Sequence, residues 1–188
     1  GCARANPPYL ITTADNVLLS HGAIDIMLDG LAAGADGLFA FSDREYVHGV
    51  HEDAQRHFYK VCGREIANCN LYALAGPKAL QAAEIFRDGG QFMNNPIRLL
   101  RAFGVSNILL GRLNLISFET ISTRVSKKMG LTLRAMSMQD GTQAIDVDNE
   151  RTYGVAEGVL RGTIPIQEGM GPPPFQPTLT RPSEDSPV

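Results

Sequence analysis

The chain opens on Pro8-Tyr9-Leu10-Ile11-Thr12-Thr13, an apolar and β-branched run broken by Ala14-Asp15-Asn16, the pattern of a buried strand that ends in a loop. Ser20 then stands where an N-cap is needed, and Ile24, Met27, Leu28 and Leu31 recur at helical spacing up to Gly34, predicting an amphipathic helix. Gly37-Leu38-Phe39-Ala40-Phe41 reads as a second buried strand. Strand, helix and strand in so short a span predict a βαβ unit, whose crossover makes its strands parallel.

From Tyr46 to Leu74 the texture changes. His57-Phe58-Tyr59-Lys60-Val61, a turn at Gly63-Arg64, and Asn70-Leu71-Tyr72-Ala73-Leu74 predict a hairpin and hence a mixed sheet. Gly76-Pro77 opens a helix through Leu80, Ala83 and Phe86 to Gly89-Gly90, and Asn95-Pro96 opens a largely helical stretch to Met129, stopped by Gly130. Leu131 to Met136 alternates as a strand, Ala144-Ile145-Asp146-Val147-Asp148 reads as a further short strand, and Glu150 to Arg161 as a helix burying Val155, Ala156, Val159 and Leu160. Residues 1–162 form one expected domain. The Pro-, Gly- and Ser-rich residues 163–188 are expected to be a disordered tail.

Composition narrows the function classes. With 188 residues and 44% hydrophobic residues the chain can build a single core. A net charge of −3 supplies no basic field for a nucleic acid backbone, so an anionic ligand must be held locally. No apolar run has the length of a transmembrane span and no signal-peptide core is visible, so a cytoplasmic protein is expected. Cys2, Cys62 and Cys69 contain no C-x-x-C pair and read as reduced thiols, and His48 and His51 lack the further ligands of a metal site.

One local design occurs twice: an apolar strand with aspartate at its carboxyl end, at Leu10 to Asn16 and at Ala144 to Asn149. Ligands of open α/β sheets lie outside the carboxyl ends of the strands, so Asp15 and Asp148 can converge although distant in sequence. One or two carboxylates with phosphate oxygens and water make a Mg²⁺ site. The alternative for each aspartate is a turn or capping role. Asp146, two residues before Asp148 on the same predicted strand face, is either a further ligand or an edge charge. Lys60 and Arg64 flank the hairpin as candidates for an acceptor phosphate, or as solvated charges.

Thr12 to Leu19, Asn70-Leu71-Tyr72-Ala73-Leu74 and Ile145-Asp146-Val147-Asp148-Asn149-Glu150 resemble, in that order, the MobA-like nucleotidyltransferases, over about residues 8–162. The resemblance implies a Rossmann-like, GT-A-type α/β fold with a mainly parallel mixed sheet and helices on both faces. It also implies Mg²⁺-dependent transfer of a nucleoside monophosphate from an NTP to a small phosphorylated acceptor, releasing pyrophosphate. By the same resemblance Asp15 and Asp148 are catalytic metal ligands with Asp146 beside them, and Asn70 touches the acceptor; Asn16, next to Asp15, and the hairpin charges Lys60 and Arg64 are the further candidate substrate contacts.

The family's first strand, its Gly-rich triphosphate loop and its Pro-Lys segment find no match in this chain. An absent N-terminal βαβ half, a homo-oligomer or a partner-supplied nucleotide half is therefore expected. The rival readings are a sugar-nucleotide glycosyltransferase of the same fold, whose D-x-D is replaced here by Ala14-Asp15-Asn16-Val17, and a non-catalytic domain.

Overall fold

Backbone hydrogen bonds gather the strands into one five-stranded sheet, seen in a computed structural model that describes residues 6–83 and 117–165. The elements are β1 (Tyr9–Thr12), α1 (His21–Ala32), β2 (Gly37–Asp43), α2 (Arg44–Val50), β3 (Tyr59–Val61), β4 (Arg64–Leu74), α3 (Pro77–Ala83), α4 (Phe118–Met129), β5 (Leu133–Ser137) and α5 (Glu150–Leu160), with a 3₁₀ turn at Gly141–Ala144 before α5. The helical stretch expected from Phe86 through residue 116, Cys2, and the tail from residue 166 onward lie outside the described residues.

Local signals act as their chemistry requires. Ser20 caps α1 by accepting the Ala23 N–H at 3.2 Å, although the buried stripe is Ala23, Met27 and Gly30, and Leu28 faces outward. Gly130 ends α4 with φ of 63°, a left-handed stop that glycine adopts without steric cost. Asn149 caps α5 in a reciprocal capping box with Thr152. The two-residue turn of the β3–β4 hairpin is Cys62-Gly63, both at positive φ, one residue earlier than the sequence pattern placed it.

The sheet order β1-β4-β2-β5 corrects the expectation of a mainly parallel sheet. β4 runs antiparallel to β1, β2 and β3, and only β2 and β5 pair in parallel. β1 and β2, joined by α1, do point the same way, because both oppose β4. They are not neighbours: the crossover leaves a strand's width between them, and β4 fills it from the hairpin side.

Since β2 occupies one edge of β4, β1 and β3 share the other. β3 pairs with residues 64–66 and β1 with residues 71–74, leaving residues 67–70 between them. There the β4 ladder is irregular. Phe39 opposes Tyr72 and Phe41 opposes Asn68, so Ala40 alone faces Cys69, Asn70 and Leu71. Asn70 sits in this bulge at φ of 49°, a conformation that costs a non-glycine residue about 1–2 kcal/mol.

The predicted strand at residues 144–147 is not one. The 3₁₀ turn is followed by irregular chain, and both Ala144 and Ile145 are wholly buried. Consecutive burial on a tight turn mimics the apolar run of a short strand. The core beneath the sheet comprises Met27, Val47, Leu71, Met138 and Ile145, joined at the end of α5 by Ile164.

Candidate functional site

β1 delivers Asp15 to the gap on the edge of β4. After Thr12 the chain turns, with the Asn16 N–H on the Thr13 carbonyl, and Asn16 goes inward at 6% exposure. Its Nδ2 donates to the Cys69 carbonyl at 3.0 Å and to Thr12 Oγ1 at 3.2 Å, so its amide takes up one of the β4 carbonyls beyond the reach of β1. Ser20, rather than Asp15, caps the helix that follows. Asp15 Oδ1 is buried without a hydrogen-bond partner among the described residues.

The second aspartate segment is brought to the same place. The Val147 N–H donates to the Asp15 carbonyl at 3.0 Å, joining positions 132 residues apart (147 less 15). Asp146 is half-buried, whereas Asp148 is exposed, its N–H held by the Asp146 carbonyl and Thr152 Oγ1. Asp146 Oδ2 accepts from Asn70 Nδ2 at 2.6 Å, and its Oδ1, like Asn16 Oδ1, is buried without a partner among the described residues. The structure thus gathers Asp15, Asn16, Asn70, Asp146 and Asp148.

Burial pushes the Asp146 carboxyl up to about 6, opposed by the Asn70 hydrogen bond and reinforced by the negative charges of Asp15 and Asp148. The folded chain therefore holds this proton more tightly than the unfolded chain. The stability this confers is complete below about pH 4 and is lost as pH rises through about 6. Asp146→Asn is expected to melt above the unmodified protein at pH 7.5 in metal-free buffer, with the difference shrinking towards pH 4. Thermal melts at both pH values check this, and a difference independent of pH contradicts the assignment.

Lys60 and Arg64 stand elsewhere. Lys60 is 82% exposed with Nζ 3.3 Å from Glu65, and Arg64 grips Asp43 through Nε at 2.8 Å and through Nη2 while lying over the Phe41 ring. His48 Nε2 meets the Gln55 carbonyl, and His51 Nδ1 accepts the Asp53 N–H, so both serve their own loop. Cys69 is a fully buried free thiol.

Three residues of this region were not marked by the sequence. Asn68 and Tyr72 bond to one another beside Asn70. Gln143, fully buried, donates through Nε2 to the Leu18 carbonyl and Asp140 Oδ2 and accepts the Ser20 N–H, clasping the loop after Asp15 to the 3₁₀ turn before Asp146. Nothing in Thr142-Gln143-Ala144 signals burial, because a lone glutamine ordinarily faces water.

Among the described residues no three His, Cys, Asp or Glu side chains are gathered so as to hold a metal ion unaided. The unpartnered oxygens of Asp15 and Asp146 fit the sparser case of a hard cation held by one or two carboxylates, with phosphate oxygens and water completing its shell. No helix among the described residues is long and apolar enough to cross a membrane.

No protein-family model matches the chain, and no curated protein matches it in sequence. A solved structure from Thermus thermophilus, called a hypothetical transferase, is similar to it with a TM-score of 0.64 and 22% identity over 77% of this chain. The chain spans 62% of the length of that protein. At this identity the likeness is one of fold, and the α/β architecture described above is the fold that the two proteins share.

Proposed function

We propose that this domain belongs to a Mg²⁺-dependent transferase that moves a nucleoside monophosphate from an NTP to a small phosphorylated acceptor, releasing pyrophosphate. The observation that carries the reading is the joining of the two aspartate segments by the Val147-to-Asp15 hydrogen bond, with a buried, unpartnered carboxylate oxygen on Asp15 and on Asp146. An uncompensated buried carboxylate is costly, and a cation at the site removes that cost. The transferase-named fold neighbour agrees in general class.

Asp15 and Asp146 would hold the ion, with Asp148 at the exposed rim. Bound there, Mg²⁺ would neutralise phosphate charge and orient the reacting phosphoryl group. The chain's own part is to fix its carboxylates through Asn16, Asn70 and the Gln143 clasp. No side-chain base is required, because a phosphate acceptor is already ionised. The triphosphate loop of the resembled family has no match in this sequence, so the reading assigns these residues to the metal and acceptor side of the reaction.

Mn²⁺ titration of the full chain, followed by electron paramagnetic resonance with and without NTP, tests the proposal. One site that tightens with NTP and disappears in Asp15→Asn is expected. Equal Mn²⁺ binding by the unmodified chain and Asp15→Asn, or no binding by either, overturns it. Tightening by nucleotide sugars and not by NTPs would transfer the site to glycosyl chemistry.

A further inference from the structure

Asn70 is held in a left-handed conformation within the β4 bulge, and the residues on either side of it explain how. Its backbone N–H donates to Asn68 Oδ1 at 3.1 Å. A backbone N–H can only donate, so that atom of Asn68 must be the amide oxygen. The other end of Asn68 is therefore its NH₂, which donates to Asn70 Oδ1 at 2.7 Å and to the Tyr72 hydroxyl at 3.0 Å. With its oxygen taken by a donor, Asn70 presents its own NH₂ outward, at 2.6 Å from Asp146 Oδ2. The orientation of both amides follows from one main-chain hydrogen, with no freedom left at either residue.

We infer that Asn70 is a positioning residue for Asp146, set by Asn68 and Tyr72: it occupies one carboxylate oxygen and so determines that the other, Oδ1, faces a bound cation. This deepens the proposed function and rests on its metal reading. It also gives Asn70 a different task from the acceptor contact that the sequence resemblance implies, because both polar ends of its side chain are already engaged within the protein. Partners that orient a ligating carboxylate commonly change metal affinity by about 10–100-fold when removed. The strained backbone is consistent with such a role, since residues in sparsely populated conformations gather at functional sites.

The experiment uses the full chain with Mn²⁺ alone. Asn70→Gly keeps a residue at ease with positive φ and deletes only the side chain. It is expected to weaken Mn²⁺ binding about tenfold at constant pH, with the melting temperature recorded beside it to show that the variant is folded. Tyr72→Phe, which removes a hydroxyl bonded to Asn68 and not to the carboxylate, is expected to weaken binding by a smaller factor, about two- to threefold. Unchanged affinity in Asn70→Gly overturns the inference.

A second readout needs no metal. In ¹⁵N spectra the Asn70 side-chain amide protons are expected to exchange slowly and to shift in Asp146→Asn. Fast-exchanging, unshifted Asn70 amide protons overturn the inference whether or not Mn²⁺ binds. Mn²⁺ binding that survives Asp15→Asn overturns only the metal reading on which it builds.

Discussion

Under the proposed function, and with a nucleotide-binding half supplied, Asp15→Asn is expected to leave the fold intact and to reduce Mg²⁺-dependent pyrophosphate release about 100-fold or more. A metal contributes several kcal/mol of charge stabilisation, and each ~1.4 kcal/mol is a factor of ten in rate. The substitution removes a ligand charge with almost no change of shape. Because Asp15 Oδ1 is buried without a partner, its loss is not expected to lower thermal stability. Asp148→Asn is expected to be milder: Asp148 is exposed, and an amide oxygen still coordinates a hard cation. Steady-state assays across a Mg²⁺ series decide the matter. Near-normal turnover and metal dependence in Asp15→Asn would return Asp15 to the role of a turn residue.

Gly141→Ala is expected to be the most destabilising single methyl addition in the described part of the chain. A Cβ there would stand 2.1 Å from the Tyr46 carbonyl oxygen and 2.7 Å from the Val47 Cα, both backbone atoms that no rotamer change can move. The 3₁₀ turn must lift away from α2. The loss is expected to be about 3 kcal/mol or more, at the upper end of overpacking effects. For a domain of this size that is a fall of roughly 6–12 °C in melting temperature. The same turn leads to Asp146 and holds Gln143, so Mn²⁺ affinity is expected to fall with it. Alanine tolerated here within a degree would mean that the turn and α2 are not packed backbone to backbone.

The elements that were legible in the sequence are those whose stabilising contacts are local. Ser20 caps α1 through a residue three positions on, Gly130 ends α4 by its own φ, and the β3–β4 hairpin needs only a two-residue turn. Asp15 and the 146–148 segment were legible as candidates because aspartate after an apolar run is visible in the chain itself. The strand expected around residue 145 is a tight turn instead, because periodicity cannot distinguish a short strand from a turn that buries both Ala144 and Ile145.

Sequence alone therefore determined the α/β class, most of the elements and the two aspartate segments that the structure brings together. The tertiary structure decided the sheet order, with β4 interleaved between β1 and β2, and which partners the polar residues found. Arg64 was readable as a phosphate ligand until Asp43, 21 residues away, proved to hold it. Asp146 became the buried member of its pair, and Asn70 its hydrogen-bond donor from 76 residues away. The reason is that a strand's neighbours and a carboxylate's surroundings are set by differences in free energy between alternative long-range pairings and burials, to which no window of consecutive residues has access.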